Sequence, residues 1–400
     1  MAKFMFVVPP FFGHISPTLS VGGSLLARGH EVVWVGITEL ADAYIPEGGR
    51  FIVPHEELAP YKDAIARILK RQDDGAVLSG PEVLKLALEE TYIPFALYMQ
   101  EGLLRIIDSY QPDVIVNDCI TFAGGLCAYK RGIPYVTTTP VPPDVMGNTT
   151  DAPKIFEWQQ RLVRNLQQEY GIYTDEFVIH SNELNLVFTS QEFSRITDAP
   201  PHMQFVGPVQ GRPNHTFFDF DALHKISTPK VFVSLGTLLV DIRKAFFEKI
   251  VAAFKDEPVT IIAATDPGIL EEWPDNFIVQ SYVPQTQLLP YVDAVICHGG
   301  FNTVNDALLN ELPLLITPIT YDHFHTASLI ERGGCGVKLR YKRLRIEELK
   351  AAVWALLQNP VYKQGAGRIK QSFIDAGGND KAVDCLERFV ATAKSVTAVY

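Results

Sequence analysis

Ser281-Tyr-Val-Pro-Gln285, then Asp293-Ala-Val-Ile-Cys-His-Gly-Gly-Phe-Asn-Thr303, then Thr317-Pro318 and Asp322-His323, is the stretch whose reading decides the fold. The apolar run ending at Cys297 predicts a buried strand. Val304, Ala307 and Leu308, at helical spacing, predict an amphipathic helix after Phe301. Gly299 and Gly300 lie at the junction. A strand that enters a glycine-rich turn and then a helix leaves backbone N–H groups and the positive end of the helix dipole facing outward, which favours an anion such as phosphate. The plainer alternative is a turn that only joins the two elements.

Working outward, the same arrangement recurs. Residues 230–237 form another strand running into a small-residue turn, and Ser234-Leu235-Gly236-Thr237 carries two hydroxyls able to face the same anion. Near the start, residues 4–8 are a strand stopped by Pro9-Pro10. Ser16 is expected as an N-cap and Pro17 in the first helical turn, which leaves His14 in the loop between strand and helix. Residues 112–118 repeat the pattern of strand and polar tip, with Asp118 as the tip. Helices are expected at 81–109, interrupted at Pro94, and at 121–130, 156–170 and 241–254, with a weaker one at 64–71; three more fall at 346–357, 360–373 and 380–394. Further strands fit 31–36, 133–138, 184–189, 259–263 and 277–280. Strands alternating with helices imply α/β architecture, two doubly wound parallel sheets facing each other across a cleft. Residues 1–208 form the first domain, 209–229 the linker and 230–400 the second.

A chain of 400 residues supports more than one core, and with 47% hydrophobic and 20% charged residues it is not a disordered one. The net charge of −11 opposes nucleic acid and anionic membranes, since the one dense basic run, residues 340–345, is brief. Five scattered cysteines in apolar surroundings read as buried free thiols of a reducing cytoplasm. No segment has the apolar length of a signal-peptide core or of a membrane span, so the chain is expected to be cytoplasmic. The glycosylation-type triplets at Asn148 and Asn214 read as loop residues.

His14 and Asp118, each at a strand tip, make a natural dyad. Imidazole can accept a proton from a hydroxyl near neutrality, and a carboxylate on its second nitrogen fixes the tautomer. Asp118 has a second reading, as a helix cap beside Thr121. Asp322, His323 and His325 offer too few donors for a metal site. A P-loop Gly-Lys-Ser/Thr sequence is lacking, which argues against P-loop phosphoryl transfer.

Gly13-His-Ile-Ser-Pro17, Asp113 to Asp118, Val233-Ser-Leu-Gly-Thr237 and the signature from Tyr282 to Ala327, in that order, resemble the GT-B glycosyltransferases of family 1, and more closely the macrolide-type bacterial UDP-glycosyltransferases. The resemblance spans nearly the whole chain and implies two Rossmann-like domains, the first for the acceptor and the second for a nucleotide sugar. It allows the last helix to pack back on the first domain. By position it implies His14 as general base with Asp118 as partner, and Tyr282 stacked on uracil with Val283 bonding the base through its backbone. Gln285 and Asp306 would meet the ribose; Ser234, Gly236, Thr237, His298, Gly300, Asn302 and Thr303 the diphosphate; Asp322 and His323 the sugar. Asp306 stands where Glu is usual and His323 where Gln is usual, which bears on the sugar. The expected reaction is inverting and metal-independent, without cofactor: transfer of a hexose, glucose first, from a UDP-sugar to a hydroxyl of a hydrophobic alcohol or phenol, by a monomer or weak dimer. Phe11, Phe12, residues 92–99 and residues 140–146 are expected to line the acceptor pocket. Asp219-Phe-Asp221 resembles a manganese-binding motif of another transferase class but lies in the linker, as a solvated acidic turn would. Two rivals are a GT-B nucleotide-sugar epimerase and a non-catalytic GT-B partner protein.

Overall fold

The computed structural model describes residues 1–37, 44–55, 80–143, 153–211, 216–236, 242–319 and 322–397. The helix expected at 64–71, Thr237 and residues 144–146 of the expected acceptor loop lie outside them.

Two wholly parallel sheets organise the chain, in agreement with the doubly wound α/β reading. The first contains β1 (Lys3–Val7), β2 (Glu31–Val35), β3 (Arg50–Ile52), β4 (Val114–Asp118), β5 (Tyr135–Thr139), β6 (Asn185–Val187) and β7 (Met203–Phe205), in the order β3-β2-β1-β4-β5-β6-β7. The second contains β8 (Lys230–Ser234), β9 (Thr260–Ala264), β10 (Phe277–Gln280), β11 (Ala294–Cys297), β12 (Leu314–Ile316) and β13 (Gly336–Lys338), in the order β10-β9-β8-β11-β12-β13. In each sheet the chain winds outward from one central strand and then restarts on its other side. The reversals fall between β1 and β4 and between β8 and β11. At such points the loops beyond the strand ends diverge and leave a crevice for a ligand.

Burial on both faces explains why these strands read as unbroken apolar runs. Along β1, Met5 and Val7 enter one core while Phe4 and Phe6 enter the opposite one. Along β11, Val295 and Cys297 divide from Ala294 and Ile296 in the same way. The five cysteines are free and buried, and among the described residues no helix is long and apolar enough to cross a membrane.

Each half lends a piece to the other's core. The helix Gly378–Thr397 places Ala382, Val383, Leu386 and Val390 among Phe4, Phe6 and Trp34. Around that apolar seam, Arg28 pairs with Asp384 and Glu387 at 2.7 Å, and His30 Nε2 lies 2.9 Å from Glu387. Exposed pairs of this kind contribute little beside the apolar burial. In the other direction, Phe193 of the short helix Gln191–Ser194 stacks on Phe301 at 6.1 Å and meets Phe373 edge-on at 5.6 Å.

The first helix differs from expectation. It runs Phe12–Ala27 with Phe11 as its N-cap, so His14 lies in the first helical turn and not in a loop, and Pro17 lies well inside. Proline has no N–H to give to the carbonyl four residues back. That carbonyl, of Gly13, instead accepts a hydrogen bond from Asn302 Nδ2 at 2.7 Å, across the cleft. The break foreseen at Pro94 takes the form of one π-helical turn, Leu88–Tyr92, between the helices Gly80–Ala87 and Ile93–Tyr110. Within the stretch expected as a linker lies a short helix, Phe220–His224, capped by the Asp219 carboxylate, which accepts from the N–H of Ala222 at 2.8 Å.

Candidate active site

Topology brings the sequence candidates together. His14 follows β1 and Asp118 ends β4, at the reversal of the first sheet; Ser234 ends β8 and His298 follows β11, at the reversal of the second. The Asn302–Gly13 hydrogen bond spans the gap between them.

His14 Nδ1 lies 3.0 and 3.1 Å from the two carboxylate oxygens of Asp118. The Asp118 side chain is fully buried and that of His14 is 15% exposed. A carboxylate can only accept, so Nδ1 carries the proton and the Nε2 lone pair remains as a base. Burial opposes a charged imidazole, but the charge and hydrogen bond of Asp118, with the charge of Asp322, outweigh it and hold His14 above its ordinary value. Asp118 also accepts from the N–H of Ile120 at 3.0 Å, so it orients the histidine and caps its own turn at once. Asp322, half-buried, is itself pushed up to about 6 by desolvation despite His14.

On the other side, His298 is clamped between two glycines. A Cβ at Gly236 would come within 2.7 Å of its Cε1, and one at Gly300 within 2.7 Å of its Nε2; Gly236 also has φ +69°, a conformation suited to glycine. Burial, with the positive charge of Arg243, depresses His298 to about 4 although the backbone of Ser234 works the other way. The imidazole is therefore neutral near pH 7. Its Nδ1 is buried without a hydrogen-bond partner among the described residues. His323 meets it edge-on at 4.5 Å and is driven well below the ordinary histidine value by burial and by His298.

A polar chain lies further along. Gln285 Nε2 donates to Asp306 at 2.8 Å, Gln210 Nε2 donates to its other oxygen at 3.2 Å, and Thr303 Oγ1 donates to Gln285 at 3.4 Å. Burial pushes Asp306 up to about 6 against the pull of the two amides. Tyr282 is 68% exposed, so its ring is open to stacking, while Val283 is buried beside it.

Gln210, Arg243 and the Asn302–Gly13 bond carry no signal in the sequence, because each contact joins positions that no local pattern connects. Of the expected acceptor lining, Phe95 and Met99 turn into the core instead, because the helical period directs them to the sheet. Phe12 and Leu97 stay exposed, and the Phe11 ring lies 6.3 Å from His14. Among the described residues one group of metal-type donors stands out, His14, Asp118 and Cys119, with donor atoms within 4.8 Å of one another. Burial holds the Cys119 thiol well above its ordinary value, and the other two turn their facing atoms toward each other.

Comparison with known proteins adds three kinds of finding. A family described as UDP-glucoronosyl and UDP-glucosyl transferase matches residues 191–391. The chain is 27% identical to the NDP-glycosyltransferase YjiC of Bacillus subtilis (strain 168), over 95% of each, and 26% identical to the demethyllactenocin mycarosyltransferase of Streptomyces fradiae, over 98% of this chain and 87% of that one. Among solved structures, the glycotransferase of kitacinnamycin superposes with TM-score 0.77 at 22% identity, over 97% of this chain and 98% of the other.

Proposed function

From the premise that this chain belongs to the UDP-glucoronosyl and UDP-glucosyl transferase family and has the GT-B fold, we propose that it moves a hexose, glucose in the first place, from a UDP-sugar to a hydroxyl of a hydrophobic small molecule, with inversion and without a metal. That it is a glycosyltransferase using a nucleotide sugar and a small-molecule acceptor follows from the family. The donor base, the sugar and the residue roles are the proposal.

The observation that carries it is the pairing of His14 with Asp118 at the reversal of the first sheet, opposite the glycine-clamped His298 at the reversal of the second. The acceptor hydroxyl binds beside His14. Its oxygen forms a bond to the anomeric carbon as the bond from that carbon to the diphosphate oxygen breaks, and its proton passes to His14 Nε2 while Asp118 stabilises the imidazolium. UDP leaves with the bonding pair. His298, being neutral, serves the leaving group as a dipole, together with Asn302, Thr303 and the N–H groups that start the helix Phe301–Leu309. Tyr282 stacks on the base, Gln285 and Asp306 meet the ribose, and Asp322 and His323 meet the sugar hydroxyls. Free buried cysteines suit a cytoplasmic enzyme.

The test is transfer from UDP-glucose, with dTDP-glucose alongside, to a panel of phenolic, terpenoid and macrolide alcohols, read by mass spectrometry. His14→Ala is expected to lower the rate by about 10²–10⁴-fold. Full activity in that variant would remove His14 as the base, and UDP release without any acceptor would favour the epimerase.

A further inference from the structure

The donor's diphosphate carries full negative charge, yet the histidine nearest its proposed site is held neutral. The start of the helix Phe301–Leu309 offers only partial charge. A fixed cation is wanted, and we infer that Arg243 is that cation and binds the diphosphate directly, an assignment that rests on the nucleotide-sugar reading above.

Arg243 opens the helix Arg243–Phe254, just beyond the turn that ends β8. Its Nη2 donates to the carbonyl of Gly236 at 2.5 Å, and Gly236 is the glycine pressed against His298. Guanidinium, glycine and imidazole are thus contiguous along one wall. The Nε–H is buried and has no hydrogen-bond partner among the described residues. Burying a charged donor unpaired is unfavourable, and a phosphate oxygen would complete it. Arg243 is also coupled through charge to Tyr282, the ring assigned to the base, and to His298, the imidazole assigned to the phosphates. A planar guanidinium that anchors one nitrogen on a backbone carbonyl keeps its remaining donors in a fixed fork, which suits an anion with several oxygens.

Calorimetric titration of the full chain with uridine, UMP and UDP separates the possibilities. Arg243→Gln is expected to weaken UDP by about tenfold or more, UMP by less, and uridine hardly at all, while Arg243→Lys recovers much of the UDP loss. The KM for the UDP-sugar should rise in parallel. An equal loss for all three ligands means that Arg243 only shapes the turn and overturns the inference, as does unchanged UDP affinity. Should Arg243→Gln fail to fold in a thermal melt, Arg243→Lys carries the test: a small loss for UDP with none for uridine supports direct contact, and a uniform loss or no loss refutes it. If the wild-type chain binds neither UDP nor UMP, the nucleotide reading itself falls; if it binds UDP and the Gln variant binds it equally well, only the role of Arg243 falls.

Discussion

At the scale of single residues, His14 faces two carboxylates with different work. Asp118 touches it and sets its tautomer; Asp322 acts through its charge and is itself pushed up to about 6. Because the imidazole is held above its ordinary value of 6.5, a base that must be neutral is only half available at a pH somewhat above that value. The acid limb of the pH–rate profile should therefore lie above 6.5, measured as kcat/KM against pH, which reports the free enzyme. Asp118→Asn keeps the shape and removes the charge, leaving burial dominant, so the limb should move to lower pH while the plateau rate falls. A limb that does not move would mean that another group titrates. Linkage gives a second readout with a definite sign. A raised histidine contributes stability that is full below the unfolded value and is lost as pH rises through the folded one. The melting-temperature gap between wild type and Asp118→Asn should accordingly be wider on the acid side of 6.5 than above it. His14 and Asp118 were legible in sequence because one follows and the other ends a short apolar strand. Arg243 was not, since an arginine at a helix start looks the same whether it faces solvent or a ligand.

At the scale of elements, the first helix starts a turn earlier than its capping residues imply, and Pro17 shows what that entails. The carbonyl of Gly13 has lost its intrahelical donor and is satisfied from Asn302, in the other half of the chain. Asn302→Ala should destabilise the protein by about 0.5–1.5 kcal/mol in chemical or thermal unfolding. Pro17→Ala returns an N–H to the helix, so the same Asn302→Ala change should cost less in that background. Strict additivity in the double-mutant cycle would show that the two positions are not coupled. The central strands were readable because both faces are apolar. Of the three-residue strands only β6 was readable, inside the longer apolar run at 184–189; β3, β7, β12 and β13 were not, because so short a run has no period to detect.

At the scale of the whole molecule, two sheets with the same kind of reversal place their open ends toward one another, and alternation of strands and helices was enough to foresee that. Alternation alone did not show the exchange between halves, because an apolar helix face does not say which core it will join; only the family resemblance allowed for the last helix to pack back on the first domain. Removing residues 378–400 takes Ala382, Val383, Leu386 and Val390 out of the core that holds Phe4 and Trp34. That truncation should lower the melting temperature sharply and expose the face of the first helix to hydrophobic dyes; an unchanged melt would mean that the helix is only an appendage. The same helix bears on how the protein comes to exist. It is synthesised after every strand of the second sheet, so the first sheet emerges from the ribosome with one of its faces incomplete and stays so until the second half has been made. A two-domain chain is ordinarily expected to fold its amino-terminal unit first and independently. This one finishes its beginning last, and chaperone demand during synthesis should fall on β1 and the helix that carries the proposed base.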